Sequence, residues 1–365
     1  MKSDRAPFPD ELLTSWLARQ NHSVRDYAFP GPKVVVDREG RWRLPDILPP
    51  NAWLRAAAEH FGVSRTELDE ITIARCYPTI PLDFLAWDKS PFQTGPEILR
   101  ARPRLHISWC NRCLAEDFAA GQPAYVRRHW VLAATAFCHK HRWPLEEYCT
   151  ACHSSHWRFS SSAHGPSRMI CQDCWRPLER SAPETLAANR NTAECWDSVI
   201  ALEIEVAAAL KGRTPDQFRF NFTSADQLVN EVRDVSQLLA GNHRRFARTD
   251  SPLNDFPCPA MTRGRIQPEY GSSNVPFPLA VTTLPMRRCL LAVANAIIDP
   301  RIEIGSVLLG AEKPSAIEIF VASVDGDALT RCAAHVGRWS PSFQKRIVET
   351  QRRAGSCSQT LHHRF

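Results

Sequence analysis

Between residues 110 and 174 four ligand pairs follow one another at two-residue spacing: Cys110/Cys113, Cys138/His141, Cys149/Cys152 and Cys171/Cys174. A Cys-x-x-Cys or Cys-x-x-His knuckle points both side chains into one tetrahedral site, and two knuckles complete four-coordination. A segment with this pattern is expected to fold around metal. The last two pairs enclose 18 residues, inside the range of a four-cysteine zinc ribbon, and the first two enclose 24. The longer interval has room for a helix, for which Leu132–Phe137 forms part of a candidate.

Disulfides, a redox dithiol and an iron–sulfur cluster use the same residue types. The opening MKSDRAPFPDELL has no apolar run of the kind a secretory leader needs, and a chain in a reducing compartment seldom carries disulfides. One histidine ligand and regular pairing fit zinc better than the spacing of ferredoxin-type clusters. Each site has four protein ligands and no open position for water, which points to structural ions. Two structural Zn²⁺ ions are therefore the expected cofactors. Sequential pairing joins Cys110, Cys113, Cys138 and His141, and separately Cys149, Cys152, Cys171 and Cys174. A cross-braced arrangement joins the first pair with the third. The shorter loops favour sequential closure. His139, His153 and His156 are alternative ligands by position, but His141 alone completes the two-residue spacing.

A length of 365 residues suits two or three domains, and 44% hydrophobic with 23% charged residues is globular composition, which excludes wholesale disorder. The longest apolar stretches fall short of the roughly 18 residues a membrane span needs, and the expected location is cytoplasmic. Forty-five Lys and Arg against 39 Asp and Glu give a formal charge of +6. Seven ligand thiolates and two divalent cations lower this to about +3, so DNA affinity depends on local patches.

The chain is expected to be mainly α in three zones. These are a helix-turn-helix-like region over 1–100, a tandem zinc-finger module over 101–185, and a C-terminal helical domain with a basic tail over 186–365. The first finger of the tandem module has three cysteines and one histidine as ligands, and the second has four cysteines. In the first zone Pro9-Asp10-Glu11 opens a helix with Leu12, Leu13, Trp16 and Leu17 on one face. Ala52 to Phe61 reads as a helix, Gly62 as its stop, and Ser64-Arg65-Thr66-Glu67 as a capping box opening the next. That second helix carries Glu67, Asp69 and Glu70 against Arg65, so it suits a protein partner better than phosphates. Cys76, Cys195, Cys258, Cys289 and Cys332 are expected to be small buried apolar groups, and Cys357 an exposed thiol.

The sequence resembles the TniQ family of transposition proteins. The resemblance rests on Pro9-Asp10-Glu11-Leu12-Leu13 with Ser15-Trp16-Leu17 and Arg19, and on Cys110-x-x-Cys113-Leu114-Ala115-Glu116-Asp117 followed by Tyr125, Arg127, Arg128, Trp130 and Leu132-Ala133. Cys138-x-x-His141 with Pro144-Leu145, then Cys149-x-x-Cys152, extends it; Trp109, His139 and Trp143 depart from the usual pattern. The resemblance implies a non-enzymatic target-selection factor working beside a DDE-type transposase and a AAA+ ATPase. Relatives in CRISPR-associated transposons dimerise and couple an RNA-guided complex to that machinery, and larger relatives bind an attachment site on DNA.

In the C-terminal zone Leu290–Ile298 and Leu329–His335 read as core helices. After Gly337, Ser340-Pro341 opens a helix with Lys345, Arg346, Arg352 and Arg353 against Glu349 alone. This is a second helix-turn-helix candidate, its four basic residues being the expected nucleic-acid contacts, with a solvated basic tail as the competing reading. Arg127, Arg128 and His129 form another basic cluster beside aromatics, which a helix packing its arginine stems on the zinc module explains equally well. Two functions follow: an adaptor linking target DNA or a DNA-bound complex to the transposition ATPase and transposase, or a stand-alone zinc-containing helix-turn-helix transcriptional regulator. No phosphate loop, nucleophile elbow or His-Glu-x-x-His helix occurs, and His362-His363 lies too near the end to frame a nuclease site, so an enzyme is not expected.

Overall fold

The computed structural model describes residues 5–23, 35–36, 42–87, 105–162, 165–179, 190–213, 222–240, 278–302 and 315–362. They form two compact units, Met1–Ala187 and Ala188–Phe365. The fold is mainly α, as the sequence leads one to expect. The N-terminal helical zone and the cysteine zone lie in the same compact unit.

In the first unit α1 (Leu13–Ser23), α2 (Asn51–Phe61), α3 (Arg65–Glu70) and α4 (Ile73–Cys76) precede the cysteine region. Leu13, Trp16 and Leu17 of α1 share one core with Leu54, Ala57, Phe61 and Leu68 of α2 and α3. The α2–α3 corner is built by local chemistry. Gly62 takes φ 65°, and the N–H groups of Gly62 and Val63 donate to the Glu59 and Ala58 carbonyls at 3.3 and 3.0 Å. Only a residue without Cβ adopts this left-handed cap freely. Ser64 then receives the Thr66 N–H at 3.1 Å, while Glu67 receives the Ser64 N–H at 2.9 Å. The expected succession of helix, glycine stop and capped second helix is present here.

α1 starts at Leu13, later than Pro9-Asp10-Glu11 suggests. Glu11 instead pairs backbone to backbone with Arg127, and the Leu12 N–H donates to the Val126 carbonyl at 2.9 Å. Thr14 fastens the helix start to buried Asp46, donating its N–H at 2.7 Å and its hydroxyl at 2.8 Å.

The helix expected around Leu132–Phe137 does not form. The chain runs from a 3-10 turn at Arg128–Val131 into extended backbone. The Ala86 N–H donates to Val131 and the Ala133 N–H to Phe84, at 2.8 and 2.7 Å. Cross-chain pairing has taken the hydrogen bonds a helix would make internally, and every residue of the run is buried. A helix does lie earlier, α5 (Asn111–Ala119). A two-residue ribbon, β1 (Val35–Val36) with β2 (Trp42–Arg43), lies before α2. Two more antiparallel ribbons follow α5, β3 (Phe137–Cys138) with β4 (Trp143–Pro144), and β5 (Trp157–Ser162) with β6 (Gly165–Cys171).

The second unit contains α6 (Arg190–Leu210), α7 (Ala225–Ala240), α8 (Pro278–Val281), α9 (Leu284–Ile298), α10 (Ala316–Ser323), α11 (Gly326–Ala334) and α12 (Pro341–His362). α6, α7 and α9 pack against one another, and α11 and α10 pack on α12. α9 is buried on most sides, including Leu290, Leu291, Val293 and Ile297. No described helix is long and apolar enough to cross a membrane.

Candidate metal centres

The structure gathers the eight predicted ligands into two sequential clusters, Cys110/Cys113/Cys138/His141 and Cys149/Cys152/Cys171/Cys174. In each, all ligand atoms lie within 4.8 Å of one another. Cross-bracing is not what the chain adopts. His139, His153 and His156 belong to neither cluster; His139 stacks on His129 at 5.3 Å and His156 faces Asp173 at 3.3 Å.

Three elements aim the first cluster. Cys110 caps α5, Cys113 sits in its first turn, Cys138 ends β3, and His141 lies in the β3–β4 turn. His141 Nδ1 stands 3.4, 3.3 and 3.5 Å from the sulfurs of Cys110, Cys113 and Cys138, and Cys113 Sγ is 3.6 Å from Cys138 Sγ. Ligands about 2.3 Å from a tetrahedral cation are separated by roughly 3.7 Å, so the donor set fits with little adjustment. The remaining nitrogen, Nε2, lies 2.8 Å from Glu116 Oε1. A ligand histidine held by a carboxylate in this way has its tautomer and ring orientation fixed. The Glu116 carboxyl is held below its usual range by His141 first and Lys140 second.

The protonation chemistry also fits a cation. Hydrogen bonds with Cys110 and Cys138 push the Cys113 thiol far up, while hydrogen bonds from Cys110 and Cys113 push Cys138 far down. Three sulfurs this close cannot all be thiolates unless a positive ion offsets them.

The second cluster pairs Cys149 Sγ with Cys174 Sγ at 3.5 Å and Cys152 Sγ with Cys171 Sγ at 3.4 Å. Burial opposes ionisation of Cys171, but backbone N–H donation from Cys174 and Asp173 brings its thiol down to about 7. Divalent metal held here by four thiolates would cross-link the β5–β6 ribbon to the Cys149 turn.

A shared backbone signature marks these turns. Arg142, His153 and Trp175, with φ of 50°, 58° and 63°, are the non-glycine residues in the left-handed region among the described residues. Each directly follows the second ligand of a knuckle. Their N–H groups donate to the carbonyls of Cys138, Cys149 and Cys171 at 2.8, 2.8 and 3.0 Å. Sequence reasoning found the ligands but not this conformation, because none of the three is glycine.

The other half of the family-like motif converges on the first cluster. Arg19 clamps buried Glu11 through Nε at 3.1 Å and Nη2 at 2.8 Å, and Ser15 receives the Val126 N–H at 2.8 Å. Arg127 grips Asp117 of α5 at 2.8 and 3.1 Å, and Arg128 donates to the Glu70 carbonyl at 2.5 Å and to that of Pro9. The Arg127/Arg128 pair is therefore buried and turned inward.

The basic residues of α12 divide. Lys345, Arg352 and Arg353 are exposed, and Lys345 lies 3.9 Å from Glu349. Arg346 turns the other way and donates to the Ile298 and Ile297 carbonyls at 2.8 and 3.0 Å. The turn before α12 is held by α7: Asp234 receives Arg338 at 2.5 and 2.6 Å and Trp339 Nε1 at 2.9 Å, and Glu231 receives the Ser340 N–H at 2.7 Å. Of the remaining cysteines, Cys289 is buried, whereas Cys76 and Cys332 are only half-buried. Cys258 and the side chains of Cys195 and Cys357 lie outside the described residues.

These features define a mainly helical protein that carries two four-ligand Cys/His clusters of the structural-metal kind. The TniQ family model matches residues 5–145, a span that holds the Glu11–Arg19 clamp and the whole first cluster. The chain therefore carries a TniQ-like region over residues 5–145. No curated protein matches the chain.

Proposed function

We propose that this protein is a zinc-stabilised, non-catalytic adaptor that selects the transposition target, linking target DNA or a DNA-bound complex to a AAA+ ATPase and a transposase. One observation carries the reading most: the motif characteristic of the family is a structural lock. Glu11, Ser15, Arg19, Arg127 and Arg128 bond to one another, to Asp117 or to backbone. Such a lock presents a fixed surface, as a docking protein needs. Two zinc ions would hold the ligand turns in place; their chemistry is charge compensation and cross-linking.

The surface of α3 that this lock supports exposes Arg65, Glu67 and Glu70, a mixed and partly acidic face suited to protein. Contact with DNA falls to Lys345, Arg352 and Arg353 of α12. The 101–185 segment acts as a tandem zinc module that stands between these two helices in the chain.

Fluorescence anisotropy of metal-loaded protein on random duplex across a salt series tests the reading. An adaptor binds weakly, with a slope set by few phosphate contacts. Tight, sequence-selective binding of a short duplex without any partner would instead identify a stand-alone regulator.

A further inference from the structure

Trp175 stands where glycine would be free of strain. It follows the last ligand of the second cluster at φ 63°, and its side chain is 61% exposed. A bulky residue held in the left-handed region with most of its side chain in water gains little from burial. Its surroundings supply a role of another kind. The Arg158 guanidinium carbon lies 3.8 Å from the ring centroid, Arg176 is the next residue and exposed, and His153 occupies the matching left-handed turn after Cys152. The acidic groups at this end are otherwise engaged, Asp173 by His156 and Glu179 by Arg168.

An exposed indole that carries one guanidinium over its ring, with the exposed Arg176 next to it in the chain, matches an unpaired nucleobase and its adjoining phosphates. We propose that the exposed end of the second metal module binds single-stranded nucleic acid, with Trp175 stacking on a base and Arg158 and Arg176 meeting the phosphates. A base inside a duplex is covered on both faces by its neighbours, so duplex is not the ligand. Four thiolates around a divalent cation leave a charge of −2, which the two arginines offset. Stacking rather than net charge is then the main attraction, and two phosphate contacts give a salt slope of about −1.4 on a single strand. This site lies outside residues 5–145 and shares no residue with α12.

The test is anisotropy of labelled oligo-dT, oligo-rU and a duplex of equal length with the metal-loaded full chain. Both single strands are expected to bind alike, since neither contact reads the sugar, and more tightly than duplex. Trp175→Ala should weaken them about tenfold, Trp175→Phe should keep most of the affinity, and the Arg158→Ala/Arg176→Ala pair should flatten the salt slope. Trp175→Gly separates binding from folding: it should lose affinity while raising the melting temperature, because the strain is gone. Unchanged single-strand affinity in Trp175→Ala with full metal content, or a preference for duplex, overturns the proposal. If duplex binding then falls on changing Lys345, Arg352 and Arg353, the adaptor reading survives without this site.

Discussion

Arg346 donates to the carbonyl of Ile298 at 2.8 Å, closing the C-terminal end of α9 with a cation drawn from α12. Ile297 receives a second bond from the same guanidinium. A helix C-terminus presents unpaired carbonyls and partial negative charge, so the contact satisfies both. Four basic residues that look equivalent in the sequence thus differ in what they do.

Arg346→Ala is expected to destabilise the second unit by about 2 kcal/mol, because two charge-assisted bonds to the carbonyls of buried Ile297 and Ile298 are lost. Urea unfolding monitors it. Lys345→Ala, Arg352→Ala and Arg353→Ala should each change stability by less than about 0.5 kcal/mol. A destabilisation by Arg353→Ala equal to that of Arg346→Ala would contradict the division.

Chelation should unfold the first unit selectively. Structural zinc contributes about 10 kcal/mol or more per site to folding, whereas the second unit's core of α6, α7 and α9 contains no ligand cluster among its described residues. Calorimetry of the metal-loaded protein should show a transition that disappears with chelator and another that persists. The Cys149→Ser/Cys152→Ser pair should yield insoluble protein; a soluble double variant with native melting behaviour would argue against a structural second site.

Glu116 orients His141 without touching the metal position. Glu116→Gln is expected to lower metal affinity about 10- to 100-fold, read by competition with a chromogenic chelator. The first cluster alone should respond, so that one of two equivalents is released early. Loss of both equivalents together would mean the two clusters fold as one.

Asp46 should make the first unit more stable in mild acid. Burial raises its carboxyl to about 6, above the unfolded value of about 3.9. The folded state therefore takes up the proton first, and stability rises as pH falls from about 6 to about 4, by on the order of 3 kcal/mol. Asp46→Asn should remove this dependence. The difference in unfolding free energy between the two proteins, measured at pH 7 and pH 4.5, isolates the effect from other titrating groups.

The corner at Gly62, the Ser64 capping box and the eight metal ligands were legible because each is decided within a few residues. A knuckle needs only its two ligands and the turn between them. What the sequence concealed was decided at long range. Leu132–Phe137 has the composition of a helix, yet Phe84 and Ala86 take its backbone hydrogen bonds into cross-chain pairing. Arg127 and Arg128 fit a surface patch and a packed pair equally well in the sequence, and Asp117, Glu70 and Pro9 decide for packing. Arg346 could not be separated from Arg352 without the position of α9. The turns at Arg142, His153 and Trp175 escaped notice because their residue types carry no sign of a left-handed backbone.

The lock between the two ends of the first unit sets a schedule for synthesis. Ser15 is joined to Val126 across 111 residues, and Pro9 to Arg128 across 119. A ribosome adding roughly 5–20 residues per second needs about 6–24 s to deliver the second member of each pair. During that interval α1 has no Val126 edge to dock on, and Glu11 lacks the shelter of its partner strand. The emerging N-terminus is thus a client for whatever shields apolar helices at the exit tunnel. Arrival of Val126 and Arg128 is the step that ends its exposure.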